Sequence, residues 1–98
     1  MSIGEWQRKI TYEYAIPHGF DWKSEDIDTM LLRIVSEVVE ASEFARDNDL
    51  EGLAEELADV FIRLVNTAEV MGISLEEEVI KKHEKNLKRP RLHGRKRK

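Results

Sequence analysis

An all-α fold is predicted for this 98-residue chain, and three observations predict it. Apolar residues recur every three or four positions over two long stretches, the period of a helix face. Helix-starting and helix-stopping residues stand at the ends of those stretches. No segment alternates apolar and polar residues, as a strand would, with comparable strength. The expected architecture is a four-helix bundle completed by oligomerisation, because a chain this short buries a small fraction of its surface alone.

The first helix is expected from about Ile3 to Tyr14. Ser2 and Glu5 have capping-box spacing, and Pro17 and Gly19 close the segment. "IPHGFDWK" then reads as a loop with two aromatics. The second helix starts after Ser24, read as its N-cap, with Glu25 and Asp26 in a first turn where the helix dipole favours acids. Leu31, Ile34, Val35, Val38, Ala41, Ser42 and Ala45 repeat at helical spacing, and "RDND" ends it near Asp47. A third helix runs from after Asp49 to about Met71, with Leu53, Leu57, Val60, Phe61, Leu64, Ala68 and Met71 as its apolar positions. Gly72 is its expected C′ residue. Ser74 and Glu77 open a fourth helix to about Leu87, and Pro90 stops it.

Composition narrows the function classes. Hydrophobic residues are 41% and charged residues 37%, enough of the former for a core in one domain. Without cysteine, a disulfide framework and a thiolate metal site are both excluded. The start "MSIGEWQRKI" lacks the apolar region of a signal peptide, and no apolar run approaches a membrane span, so the expected setting is cytoplasmic with no membrane partner. The net charge of -4 conceals an asymmetry: residues 88–98 hold seven Lys and Arg and no acid, leaving nine basic and 20 acidic residues in the rest. The expected organisation is therefore a helical domain over 1–90 and a basic tail over 91–98.

The acids of "SEVVEASEFARDNDLEGLAEELADV" carry the chemistry. At about 100° per residue, Glu37 lies to one side of an apolar centre near Leu31 and Val38, between Met30, Ala41 and Phe44, with Glu40 further round. On the third helix Glu56, Asp59, Arg63 and Asn66 form one polar stripe along the flank of the apolar face. If the two helices pack antiparallel through their apolar faces, Glu37, Glu40, Glu56 and Asp59 point into one space. Carboxylates so crowded repel and raise one another's pKa unless a cation joins them. An all-oxygen ligand set suits Mg²⁺, or Mn²⁺. The competing reading of each pair is a solvated, salt-bridged helix face. A ferritin-like di-iron centre is set aside, because no histidine follows an acid by three residues as that site requires.

Two spacings carry a resemblance to a known family. "SEVVE" at 36–40 and "ELAD" at 56–59 resemble the E-E-x-x-E…E-x-x-D signature of MazG-like nucleotide pyrophosphohydrolases, in the all-α NTP pyrophosphatase superfamily. The following "EVMGISLEEEVIKKHEKNLKRPRLHG" resembles that family's turn and K-x-x-x-N-x-x-R helix, over roughly residues 25 to 94 in all. Ser36 stands where the signature's first Glu usually is. The resemblance implies metal-binding and catalytic roles for Glu37, Glu40, Glu56 and Asp59, and phosphate binding by Lys82, Asn86 and Arg89. The latter three share one helix face at i, i+4 and i+7.

The implied activity is Mg²⁺-dependent hydrolysis of a (d)NTP to (d)NMP and pyrophosphate, with nucleotide-pool housecleaning as its role. One Glu of the set orients the attacking water, Glu40 being favoured. Phe20, Trp22 and Phe44 are candidates to stack on the base, although Phe20 and Trp22 equally suit packing of their loop. The resemblance also implies a homodimer or homotetramer. Two other classes compete: a non-catalytic helical dimer, and a nucleic-acid-binding protein using the basic tail. Nucleic acid is the less expected partner, because the acidic body repels it.

Overall fold

In the computed structural model, which describes residues 1–90, the chain is all-α. Its elements are α1 (Ile3–Lys9), a π-helical continuation (Ile10–Ala15), a 3₁₀ turn (Ser24–Asp26), α2 (Ile27–Arg46), α3 (Leu50–Val70) and α4 (Leu75–Lys88). The basic 91–98 segment, to which the nucleic-acid reading attaches, lies outside the described residues. No helix among the described residues is long and apolar enough to cross a membrane.

Local chemistry sets most of these bounds. Ser2 and Glu5 form the full capping box at α1, each side chain receiving the other's backbone N–H. Asp49 accepts from Gly52 N at 2.9 Å and Ser74 from Glu77 N at 3.3 Å, so both serve as N-caps. Gly72 ends α3 at φ 71°, a conformation a side chain would strain. Two details differ from expectation. Ser24 is not a cap but the first residue of the 3₁₀ turn, which Asp26 closes by accepting from Lys23 N at 2.9 Å. The first helix widens into a π turn and runs to Ala15. An i, i+4 row drifts round an α-helix. The wider turn offsets that drift, so Gln7, Thr11 and Ala15 all stay buried on one side.

Helices α2 and α3 form a long antiparallel hairpin, and α1 with its π continuation packs against α3. The turn is built on Asn48, whose φ of 56° is a left-handed value that asparagine tolerates. Residues equidistant from Asn48 face each other across the hairpin. Four steps away on either side, the Phe44 ring lies on Gly52, where any Cβ would collide with it. Eleven steps away stand Glu37 and Asp59, about 16 Å from the turn at 1.5 Å per residue.

The apolar faces do not meet as expected. Helix α2 turns Met30, Ile34, Glu37, Ala41 and Phe44 inward, and Leu31, Val35 and Val38 remain 47%, 55% and 50% exposed. On α3 the inward face is Glu56, Asp59, Val60, Arg63 and the run from Val65, while Leu57 is 56% exposed. The polar stripe thus lies in the seam, and the apolar stripes lie on the outside. Its inner end is sealed by hydrogen bonds. Gln7 donates to Glu69 at 3.0 Å and to the Ile73 carbonyl at 2.7 Å, and accepts from Leu75 N at 3.3 Å. These bonds tie α1 to the α3–α4 turn. Helix α4 leans on α1 and buries none of its residues.

Candidate active site

The hairpin register brings three of the four signature acids together. Carboxylate oxygens of Glu37, Glu56 and Asp59 lie within 4.8 Å of one another, and all three side chains are half-buried. Glu40 is on the exposed side of α2, one turn further on. It is close enough to act electrostatically on Glu56 without joining the cluster.

Arg63, one turn beyond Asp59, donates from Nε to Glu37 Oε2 at 2.6 Å. That bond holds the Glu37 carboxyl below the usual carboxylate range. Glu56 goes the other way and is pushed up to about 7. The chief cause is a hydrogen bond with Glu37, in which Glu56 keeps the proton. Desolvation and the charges of Glu40, Glu37 and Asp59 add to it. Glu56 Oε1 is sealed from solvent and has no hydrogen-bond donor among the described residues. The cluster therefore holds more negative charge than Arg63 balances, and one oxygen that only a proton or a cation satisfies. This donor set, three carboxylates without nitrogen or sulfur, fits a hard divalent cation.

A cavity of about 450 Å³ opens beside the acids. Glu37, Asp59 and Arg63 are its charged lining. Ile10, Tyr14 and Ala15 from the π segment, Phe20 and Trp22 from the following loop, and Ile62 and Asn66 from α3 line the rest. The loop is itself organised by aromatic contacts: Tyr14 lies 4.7 Å from the His18 ring and 6.2 Å from the Phe20 ring, while the Arg33 guanidinium sits 5.4 Å over Trp22. A second cleft of about 390 Å³ shares Glu37 and Arg63 with the first and adds Thr29, Leu32, Arg33, Ser36 and Glu40. Ser36, the departure from the signature, thus lies at this cleft and outside the three-acid cluster.

The other sequence-derived candidates separate. Phe20 and Trp22 are at the cavity wall. Phe44 is committed to Gly52 near the hairpin turn and lines neither cleft. Lys82, Asn86 and Arg89 are exposed on and after α4 and line neither cleft of their own chain. Sequence reasoning missed Arg33, Ile10 and Tyr14, and put Asn66 on the right stripe without a role. The i, i+3, i+7, i+10 spacing from Glu56 to Asn66 was the available signal for that last residue.

No curated protein and no solved structure matches the chain. The family model described as the MazG nucleotide pyrophosphohydrolase domain matches residues 25–93. That span holds both halves of the acid cluster, the hairpin that aligns them and all of α4. The chain accordingly belongs to the MazG nucleotide pyrophosphohydrolase family.

Proposed function

We propose that the chain is a nucleoside triphosphate pyrophosphohydrolase, splitting a (d)NTP with water into (d)NMP and pyrophosphate. The observation that carries this reading is the junction of two environments. A three-carboxylate cluster with an unpartnered buried oxygen lends Glu37 and Asp59 to the wall of a cavity that is otherwise largely aromatic and apolar. A triphosphate with its cation suits the first, and a nucleobase suits the second.

Glu37, Glu56 and Asp59 would hold Mg²⁺, with Mn²⁺ as the alternative. Bound there, the cation supplies positive charge against the triphosphate and acidifies water. The protein groups do the rest. Glu40 lies beside the cluster and outside it, so its carboxylate is free to take the proton of the attacking water. A bond forms between that water oxygen and phosphorus, the α–β anhydride breaks, and pyrophosphate leaves with the electron pair. Arg63 and Arg33 line the second cleft, where positioned cations stabilise the leaving charge. Phe20 and Trp22 flank the base, and Phe44 serves the hairpin instead.

Lys82, Asn86 and Arg89 act on phosphate only from a second copy of the chain, in this reading. The exposed Leu31, Val35 and Val38 stripe gives that copy a surface to cover, in a homodimer or homotetramer. The biological role that fits is control of the nucleotide pool in the cytoplasm.

The test is incubation with a panel of NTPs and dNTPs, with Mg²⁺ and with EDTA, products being resolved by ion exchange. Monophosphate and pyrophosphate, both lost with EDTA and in Glu56→Gln, are the expected result. Diphosphate and phosphate, or no turnover of any nucleotide, would overturn the reading.

A further inference from the structure

The two clefts share Glu37 and Arg63, and only the first has aromatic walls. The second presents hydrogen-bond donors that the fold leaves unused. Thr29, Arg33 and Ser36 lie at i, i+4 and i+7 on one face of α2, and all three are exposed at this cleft. Helical hydroxyls commonly donate back to a carbonyl of the preceding turn, as Ser42 does to the Val39 carbonyl at 2.9 Å and Thr67 to that of Arg63 at 2.7 Å. The hydroxyls of Thr29 and Ser36 make no hydrogen bond among the described residues. Arg33 stands four residues before Glu37, the spacing of a helical ion pair, yet it pairs with no acid among the described residues. Glu37 is held instead by Arg63 Nε at 2.6 Å. That bond leaves the terminal nitrogens of Arg63 without an acceptor among the described residues.

Arg33 is nevertheless positioned. Its guanidinium sits 5.4 Å over the ring of Trp22, a wall of the first cavity. The ring face attracts the cation without taking the place of an acceptor, so the N–H fork remains for the second cleft. Two hydroxyls and two guanidinium groups on one cleft suit an anion with several oxygens. The acids of the same cleft belong to its metal side: Glu37 is paired with Arg63, and Glu40 lies beside the cluster. A nucleoside in the first cavity, with its α-phosphate at the acids, sends its remaining phosphates past the Glu37–Arg63 pair. The α–β anhydride then lies where the two clefts meet.

We propose that the second cleft is a pyrophosphate subsite, in which Thr29, Arg33, Ser36 and the terminal nitrogens of Arg63 hold the β- and γ-phosphates before cleavage and the pyrophosphate after it, Arg33 relaying its occupancy to Trp22. This rests on the nucleotide reading above. Ser36 is a specificity-determining residue here, because a carboxylate in its place would set negative charge against the phosphates. Arg33 belongs to both halves of the site: its fork meets the leaving phosphates and its cation braces the aromatic wall.

The experiment is a titration of the full ¹⁵N-labelled chain, in saturating Mg²⁺, with inorganic pyrophosphate. The Trp22 and Trp6 indole signals are followed by NMR, and affinities are read by calorimetry. Trp6, on α1, lines neither cleft and serves as the control. Trp22 should shift saturably and Trp6 should not. Ser36→Glu and Arg33→Met should each weaken pyrophosphate about tenfold, and Arg33→Lys should recover part of the loss. Deoxynucleosides, which carry no phosphate, should bind Ser36→Glu as they bind the native chain. None of these positions is buried, so the substitutions leave the packing of α2 intact. If pyrophosphate binds Ser36→Glu and Arg33→Met as tightly as the native chain, the metal alone holds it; the subsite is wrong and the nucleotide reading stands. The same follows if pyrophosphate does not bind the native chain while (d)NTPs are still split to (d)NMP. An unmoved Trp22 at saturation refutes the relay. Should neither pyrophosphate nor any nucleotide bind, both readings fall.

Discussion

Loading the acid cluster with Mg²⁺ should expel a proton, and the amount follows from Glu56. Its carboxyl is pushed up to about 7, chiefly by the hydrogen bond with Glu37 and then by desolvation and the neighbouring acids. A carboxylate must be deprotonated to bind a cation, so metal binding and proton release are one event. With a pKa of about 7, the free protein carries about 0.9 of a proton on Glu56 at pH 6, about 0.5 at pH 7 and about 0.1 at pH 8. Those are the numbers of protons expected to leave per bound ion. Titration calorimetry in buffers of different ionisation enthalpy measures them directly. Glu56→Gln should bind Mg²⁺ more weakly and release almost nothing at any of these pH values. Release below about 0.2 at pH 6, or equal release from Glu56→Gln, would refute the assignment. Stability without metal follows the same linkage. Between about pH 4.5 and 7 the folded state binds more protons at Glu56 than the unfolded state does. Unfolding free energy therefore falls as pH rises through that window and levels off above it. Glu37, held low by Arg63, acts in a separate window: its contribution is present above the unfolded value and is lost in more acid solution. Urea denaturation of the native chain and Glu56→Gln across pH 3 to 8 separates the two.

Other perturbations test other joints of the structure. Arg63→Met removes the partner of a Glu37 carboxylate that keeps only 12% of its side-chain surface exposed. It should lower stability by about 1–2 kcal/mol in EDTA, less than for a fully buried pair because the arginine keeps solvent contact. Saturating Mg²⁺ should recover most of that loss in urea titrations. Gly52→Ala drives a methyl into the Phe44 ring. Overpacking of about 1–3 kcal/mol outweighs the roughly 1 kcal/mol gained in helix propensity, so the melting temperature should fall. Val35→Lys places a charge in the exposed apolar stripe of α2. If a second copy covers that stripe, light scattering will show a smaller assembly than the native chain forms, and an unchanged mass would place the interface elsewhere.

The amino-acid sequence by itself determined the four long helices, most of their caps and the acids of which the hairpin gathers Glu37, Glu56 and Asp59. Ser2, Asp49, Gly72 and Ser74 act through neighbours a few residues away, so their effects are readable locally. Helical spacing also sufficed to put Glu56, Asp59, Arg63 and Asn66 on one stripe, and the two acid motifs sufficed for the family. What only the tertiary structure decided is where each stripe points. Helices α2 and α3 each carry more apolar surface than one neighbour can cover, and periodicity says which residues share a face without saying which face meets which helix. A hairpin packed through Leu31, Val38 and Leu57 was the natural expectation. The chain instead packs through Met30, Ile34 and Ala41, with the acids inside and the apolar stripe outside. The turn at Asn48 sets the register, and the polar contacts of Gln7 with Glu69, Ile73 and Leu75 and of Thr11 with Asn66 hold α1 and its π continuation on the inward face of α3. The raised Glu56, the Thr11–Asn66 hydrogen bond and the exclusion of Phe44 from the cavity all follow from that choice of face. Each depends on groups far apart in sequence that meet only once the helices have packed.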